Sequence, residues 1–493
     1  MDKIPRRDFL KLIGSGTAAL WFSQFPLSKL VALEEGQESW PLGTERWISS
    51  VCDQCPSACG VIGRVIDGKL VKLDGNAAHP TNRGKLCPVG QAGTQLLYNP
   101  DRLRSPLRQA GPKGSGRWRR VEWSEAIEEI SGTLRRLRLD GSPHLHAVLA
   151  GERPGDVEAL LARFMTSYGS PNYILNLSAR ATRTAHFLTQ GTYELPAYDL
   201  ERANLILSFG APLLERWHSP MQAQRAYGYL RQERKGARAR NIQVEPRFSM
   251  TAAKADRWVP IQPGTEGMLA LGLAYVLIKE KLYDTSFVEH HTFGFEDMHD
   301  EKGQVRQGMK NFVLEHYRPE RVSEITGVDV GNLVMLAKEL SETRPAVVIG
   351  GGATSLYSNA TNTEMSIHSL NALMGSLEVP GGALHQRRVN LMPAPDVTPD
   401  EIARKGLTMP RVDSRTAEIP SLPFQDPDAF VESVLKGNPY RIQSLWIIDE
   451  NPVFSSVSAS RWKKALEMIP LVINFSTFMT ETAEMADLVL PQP

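Results

Sequence analysis

Four cysteines limit what this chain can fold into more than any other feature. Cys52, Cys55, Cys59 and Cys87 are the only four in 493 residues, spaced C-x2-C-x3-C-x27-C. Three thiolates on one short loop can grip three corners of a compact inorganic cluster, and a fourth from a distant turn closes the cage. Four cysteine ligands of this kind suit a [4Fe–4S] cluster. Pro88 directly follows the last cysteine, and Arg83 and Lys85 flank it, cations that offset the negative charge of a cluster held by four thiolates. The spacing leaves two other chemistries open. Structural zinc more often pairs two short C-x2-4-C knuckles, and here the second knuckle is missing. Two disulfides suit an exported protein, but three cysteines within eight residues fit them poorly.

A chain of 493 residues exceeds one core, so two to four domains are predicted, with the 42% hydrophobic content to fill them. A net charge of +1 gives no argument for nucleic acid or an acidic partner. Residues 1–35 read as a targeting segment. Arg6-Arg7-Asp8-Phe9-Leu10-Lys11 fits a twin-arginine export signal, followed by the largely apolar run Leu12 to Phe25 and Pro26. Twin-arginine export carries folded proteins, which fits a cluster inserted before export. No A-x-A site stands before Leu33, so the segment is expected to serve as signal or anchor, with the protein on the periplasmic side of the cytoplasmic membrane. Beyond it, no window of about 20 apolar residues predicts a membrane span.

Residues 44–105 read as a small cluster domain of short antiparallel strands, with a turn at Asp67-Gly68. Ser124 is the predicted N-cap of a helix that follows. The remainder alternates strand and helix. Ala147–Ala150, Leu205–Phe209, Ile242–Val244, Ala346–Ile349, Leu445–Ile448 and Leu471–Phe475 are the predicted buried strands, an α/β pattern of doubly wound parallel sheets. The expected division is 106–170 plus 340–493 as one discontinuous α/β domain and 171–339 as a second. The basic run Arg231 to Arg240 reads as a solvated turn. Strand ends carry small, polar or glycine residues where such folds bind ligands: Gly210, Glu245-Pro246-Arg247, Gly264-Thr265-Glu266 and Gly351. Glycine lets the backbone approach a phosphate closely.

These motifs together resemble the molybdopterin oxidoreductase superfamily of the dimethyl sulfoxide reductase type. The resemblance rests on the C-x2-C-x3-C loop, then Lys85-Leu86-Cys87-Pro88-Val89-Gly90, then the strand-end loops in order, Glu450-Asn451-Pro452, Thr480-Glu481-Thr482-Ala483 and Ala486-Asp487-Leu488-Val489-Leu490-Pro491. Tyr98-Asn99-Pro100-Asp101-Arg102-Leu103 is most similar to the polysulfide and thiosulfate reductase branch. The resemblance implies a [4Fe–4S] cluster on the four cysteines and a molybdenum- or tungsten-bis-pterin guanine dinucleotide. The dinucleotides would be held by Gly210, Glu245, Pro246, Arg247, Gly264, Thr265, Glu266, Gly351, Asn451 and Thr480. Lys85 would lie between cluster and pterin and tune the electron path. The family continues into a C-terminal barrel domain, which a sequence stopping at Pro493 lacks.

The chain also departs from the family. The protein ligand to the metal lies eight residues after a Ser-Pro-Asn in that branch; counting from Ser170-Pro171-Asn172 reaches Arg180, which does not ligate metals. Ser178, Thr182 and His186 are the alternatives nearby, and a lone histidine is more often an interior residue. Pro212 replaces a usual Asn, and Glu245 and Glu266 a usual Asp. Molybdopterin-like subunits of menaquinone reductase complexes look similar in this respect. The leading expectation is therefore an electron-transfer subunit of a quinone-linked respiratory complex with Arg180 filling a retired metal site. Its partners would be a ferredoxin-like multi-cluster subunit, an integral membrane quinone-binding subunit and a cytochrome c donor. The alternatives are a reductase of a sulfur compound or oxyanion with the metal in place, and a non-catalytic scaffold.

Overall fold

The computed structural model describes residues 43–153, 156–236, 238–386, 395–413 and 427–492. The segment read as an export signal, 1–35, lies outside them. In chain order the elements that matter are strands Glu45–Val51 (β1), Gly60–Ile66 (β2), Lys69–Gly75 (β3), Leu107–Gln109 (β4) and Trp118–Arg120 (β5), then helix Trp123–Leu139 (α1). Strands His146–Gly151 (β6) and Tyr173–Asn176 (β7), helix Arg180–Gln190 (α2), and strands Leu205–Phe209 (β8), Arg240–Val244 (β9) and Arg257–Val259 (β10) follow. Helix Glu266–Lys279 (α3), strand Ala346–Ile349 (β11), helix Ala360–Leu373 (α4) and strands Ser444–Ile448 (β12), Leu471–Ser476 (β13) and Leu488–Pro491 (β14) complete the frame.

The first three strands form an antiparallel sheet in the order β1-β2-β3. Asp67 and Gly68 turn β2 into β3 with φ of 48° and 78°, the left-handed pair that a tight hairpin turn needs. A seven-stranded sheet has the order β5-β4-β14-β13-β12-β6-β7. Its five strands from β14 to β7 are parallel, and the hairpin β4-β5 closes one edge in antiparallel fashion. A four-stranded parallel sheet has the order β10-β9-β8-β11.

The predicted strands form because they are short apolar runs covered on both faces. Ala147 to Ala150 and Val347 to Ile349 are buried along their length, as parallel strands under helices must be. Helix α3 buries 11 of its 14 residues, so it is an interior helix and shows no polar face. Leu269, Leu273 and Leu277 join it to the core under β8 and β9, with Ile367 and Leu370 of α4 on the other side. A second core lies between the large sheet and Phe430, Trp462 and Leu466.

Three expectations are corrected. The seams expected at 170/171 and 339/340 cut across the hydrogen bonding: β7 pairs with β6 in the large sheet, and β11 pairs with β8 in the small one. The large sheet therefore takes strands from 107–176 and 444–491, and the small sheet from 205–349. Ser124 is not the cap of α1. The helix begins at Trp123, and Glu122 stands at the cap position with extended backbone and no side-chain bond to the helix. The run Arg231 to Arg240 is not a plain solvated turn. Arg231 pairs with Asp256 and Arg234 donates to Ala203 O, so its cations tie the small-sheet domain together. Among the described residues, no helix is long and apolar enough to cross a membrane.

Candidate cofactor site

The hairpin β1-β2 builds the cysteine loop. The pair Val51–Gly60 ends the ladder, and Cys52 N–H donates to Cys59 O at 2.8 Å, so Cys52, Cys55 and Cys59 sit on one closed loop. Ala58 adopts φ 48° inside it. Cys87 caps the one-turn helix Pro88–Gln91, and its sulfur accepts from Gly90 N–H at 3.4 Å. The two halves are joined by Asn82, a residue with no solvent exposure. Its Oδ1 accepts from Gly60 N–H (3.0 Å), and its Nδ2 donates to Gly60 O (2.8 Å) and Lys85 O (2.7 Å). Sequence reasoning missed Asn82, because one asparagine in a turn-rich stretch carries no pattern. The strand end at Gly75 presses so close that a Cβ there would lie 2.5 Å from Lys85 O.

All four cysteines are free thiols, which removes the disulfide reading. Burial first, then Cys55, Cys52 and Cys87 nearby, push the Cys59 thiol up to about 11. Burial also raises Cys52. Four thiols that act on one another have a common centre to share. Among the described residues no group of three His, Cys, Asp or Glu side chains is already closed around a single-ion position.

The loop is anchored to both α/β units. Ser57 Oγ donates to His218 O at 2.6 Å, Arg216 donates to Gln54 O at 3.4 Å, and Arg153 pairs with Asp53 at 3.2 Å. Beside it lies a cavity of about 1570 Å³, walled by Cys55, Glu152, Ser178, Arg183, Trp217, His218 and Gly352 among others. Glu152 follows β6, Ser178 follows β7, His218 lies in the segment after β8 and Gly352 follows β11. The cavity thus sits at the carboxyl ends of parallel strands from both sheets, where such folds hold ligands.

Arg180 does not fill a vacated metal position. It pairs with Asp428 at 3.8 Å, and it is absent from the cavity wall. The cavity-facing guanidinium is Arg183, one turn further along α2. It is buried, held by Glu152 at 2.7 Å and Glu194 at 3.5 Å, and donates to Ser178 O. A count along the sequence lands on Arg180, but Ala179 at φ 50° starts α2 so that the fourth helical position faces inward. Ser178 donates to Glu152, Thr182 to buried Glu364, and His186 is satisfied by Glu194 O and Gln190, an interior role. His218 holds its backbone at φ 35°, and burial, with Arg183 adding to it, drops its pKa to about 4, so the ring is neutral. Lys85 is exposed and outside the cavity wall, whereas Arg83 lies in it.

The predicted dinucleotide residues fall into two groups. One follows the small sheet. Gly210 (φ 65°) and Gly351 (φ 102°) lie side by side, and a Cβ on Gly351 would stand 3.1 Å from Trp217 Nε1. Glu245 is buried and accepts from Gln243 and from Ser249 N–H; Pro246 leads to Arg247, which is exposed and pairs with Glu215. Thr265 donates to Gln262 O, and Gly264 O accepts from Asn359. Glu266 has no solvent exposure, and burial raises its pKa against the opposing pull of the Glu266 and Gly264 backbone N–H groups. The second group follows the large sheet: Asn451 bridges to Thr482 and Glu481, and Thr480 Oγ1 accepts from Ala483 N–H. None of the ten is in the wall of the large cavity, and Gly351 comes nearest through Gly352. Gly352 must be glycine, because a Cβ there would meet Pro212 Cδ at 2.5 Å, so Pro212 closes the place where an Asn was expected.

A large cavity at the strand ends of both sheets, bordered by a four-cysteine loop, is the frame of a cofactor-binding α/β protein. Residues 45–99 match the molybdopterin oxidoreductase Fe4S4 domain, and residues 102–493 match molybdopterin oxidoreductase. The chain belongs to the molybdopterin oxidoreductase family. It is 29% identical to the molybdopterin-containing subunit of arsenate respiratory reductase from Shewanella sp. (strain ANA-3), across 99% of this chain and 60% of the relative. It is 27% identical to the thiosulfate reductase molybdopterin-containing subunit of Salmonella typhimurium (99% and 63%) and 28% identical to the menaquinone reductase molybdopterin-binding-like subunit of Nitratidesulfovibrio vulgaris (99% and 65%). The chain thus spans 60 to 65% of these relatives' length. Acetylene hydratase from Pelobacter acetylenicus superposes with a TM-score of 0.70 at 25% identity, over 90% of this chain and 62% of that one.

The matched domains imply a [4Fe–4S] cluster and a molybdopterin cofactor, and the residues present fit both. For the cofactor, Tyr198 OH, Trp217 Nε1, Ser219 Oγ and Arg225 Nε are buried donors of cavity-wall residues with no acceptor among the described residues. A buried donor without a partner costs about 1–3 kcal/mol, and an acceptor-rich ligand would relieve that cost. The retired-site expectation built on Arg180 loses its support here.

Proposed function

We propose that this chain is the redox subunit of a reductase acting on a small sulfur compound or oxyanion. Cys52, Cys55, Cys59 and Cys87 hold one [4Fe–4S] cluster, and the strand-end loops hold a molybdenum- or tungsten-bis-pterin guanine dinucleotide. One observation carries the reading: Cys55 of the cysteine loop is itself part of the wall of the cavity at the strand ends of both sheets. A one-electron relay thus borders the compartment suited to a two-electron cofactor, whose chemistry is the cofactor's own. The chain's residues position and shield. Glu152 and Glu194 fix Arg183 in the wall, Trp217 and Tyr198 cover its inner side, and neutral His218 offers a ring nitrogen to a bound group without adding charge. Arsenate and thiosulfate reductases among the relatives support the substrate class.

A second reading keeps the cluster and omits the metal: an electron-transfer subunit of a quinone-linked complex on the periplasmic side of the membrane. The menaquinone reductase relative favours it, and the Arg6-Arg7 motif is consistent with export. Metal analysis of protein purified without oxygen separates the two. About four irons and one molybdenum or tungsten per chain is the expected result, with oxidation of reduced viologen by arsenate or thiosulfate. Iron alone overturns the first reading in favour of the second.

A further inference from the structure

Helix α4 carries a carboxyl group with no solvent exposure. Glu364 stands behind the turn that follows β11. Its Oε1 accepts from Gly351 N–H at 2.9 Å and from Thr354 Oγ1, and its Oε2 accepts from Thr182 Oγ1 of α2 at 3.1 Å. Thr354 Oγ1 also lies 3.0 Å from Gly351 O. The carboxyl is therefore satisfied in either protonation state. Ionised, it accepts from the Thr354 hydroxyl; protonated, it donates to Thr354, whose hydroxyl then turns to Gly351 O. A glutamine would tie α4 to the turn without burying an ionisable group, so the tie alone does not account for a carboxyl.

Glu364 has a neighbour on each side. One helical turn on, His368 is 2% exposed, and its Nε2 faces Glu364 Oε2 at 3.7 Å with no hydrogen bond of its own. His368 is part of the wall of a second cavity, of about 700 Å³, whose rim residue Phe293 is 83% exposed, so this cavity opens on solvent. On the other side, Gly352 of the β11 turn is in the wall of the large cavity. So are Tyr198 and Trp217, which stack with centroids 5.7 Å apart, Trp217 lying against Gly351. Burial, and after it the charge of Glu364, push the Tyr198 hydroxyl well above its ordinary value, so this wall group lies within the carboxylate's field. The other titratable groups bearing on the pair, among the described residues, are Glu266 of α3 and His186 of α2. His186 is committed to Glu194 O and Gln190. Burial raises the Glu364 pKa against the bonds from Thr354, Gly351 and Thr182, with Glu266 adding to the rise, and burial drops His368 to about 3. One proton held by the carboxyl leaves the pair without charge.

We propose that Glu364 is a proton relay between the two cavities. A proton from solvent is taken up by His368, passes from its Nε2 to Glu364 Oε2, and is released through Thr354 into the large cavity at the Gly351–Gly352 turn. The 3.7 Å separation is of the kind that tightens in a working complex. The use of the relay rests on the reductase reading. Removing one oxygen from an oxyanion takes two electrons, which enter from a reductant by the cysteine loop, and two protons, and it releases one water. Infrared spectra of the full chain at mildly acidic pH test the relay without any cofactor. A protonated-carboxyl band is expected that Glu364→Gln removes, and in His368→Phe that band should exchange in heavy water several-fold more slowly. In metal-loaded protein, Glu364→Gln should lower kcat about a hundredfold, the low end of what a positioned proton donor contributes, with KM unchanged. Thr354→Ser should keep the wild-type rate and Thr354→Val should lose it. No band lost in Glu364→Gln, exchange unaltered in His368→Phe, or kcat unaltered in Glu364→Gln or Thr354→Val at full metal content would each overturn the relay. Absence of molybdenum and tungsten would overturn the reductase reading instead, and the infrared result would still decide the relay.

Discussion

Asn82 shows how much one side chain can organise. It makes three hydrogen bonds in a fully buried place and is the direct tie between the loop that carries three cysteines and the turn that carries the fourth. Asn82→Ala leaves Gly60 N–H and Lys85 O without partners, each costing about 1–3 kcal/mol, while Gly60 O keeps the bond from Asn76 N–H. The expected outcome is a lower melting temperature and fewer than four irons per chain after anaerobic reconstitution, read by calorimetry and iron assay; full iron content would show that the two halves hold together without it. The cysteines themselves were legible because their spacing repeats a chemical requirement. Asn82 and Arg183 were not. A buried tie depends on which turn meets which, and a cavity-facing arginine depends on where a helix starts, here set by the left-handed Ala179.

Strands were legible in proportion to their length and burial. The six runs expected from sequence are all strands, within one or two residues at their ends. Those missed, β4, β5, β7, β10 and β14, have three or four residues, too few for an apolar run to mark them. β6 carries a histidine where an apolar residue would be ordinary. His146 is completely buried among Phe164, Tyr168 and Trp446, its Nδ1 paired with Ser444, and burial drops its pKa to about 3. The sign of the effect is set by proton binding: below about 6.5 the unfolded chain takes up a proton that the folded chain refuses, so stability is full above that pH and falls as pH drops toward 3. From pH 7 to 5 this one group removes about 2 kcal/mol. Melting temperature should fall across that interval, and His146→Phe should make the fall smaller; an unchanged slope would assign the acid sensitivity elsewhere.

At the scale of the molecule, the fold class was legible and its seams were not, because pairing of β7 and β11 is decided by sheet contacts rather than by composition. The link from Ser57 to His218 O joins the cysteine loop to the small-sheet unit directly at the cavity wall. Hydrogen bonding and solvent access around a cluster set its potential. Ser57→Ala should therefore shift the midpoint potential in an EPR-monitored titration at full iron content, and Ser57→Thr, which keeps a hydroxyl, should restore it. An unmoved potential would mean that the loop is positioned by Arg153 and Arg216 alone.

The strand order of the large sheet also has a consequence for the chain as it leaves the ribosome. β4 and β5 are made early, as are β6 and β7, yet in the finished sheet three strands synthesised last stand between the two pairs. Each early pair can form its own ladder, but nothing joins the two pairs until residues 444–491 emerge. The cysteine hairpin, by contrast, is complete within its own first few dozen residues. Iron can be loaded onto a nascent chain whose principal sheet does not yet exist, while the cavity beside it gains its last walls only when synthesis nears its end.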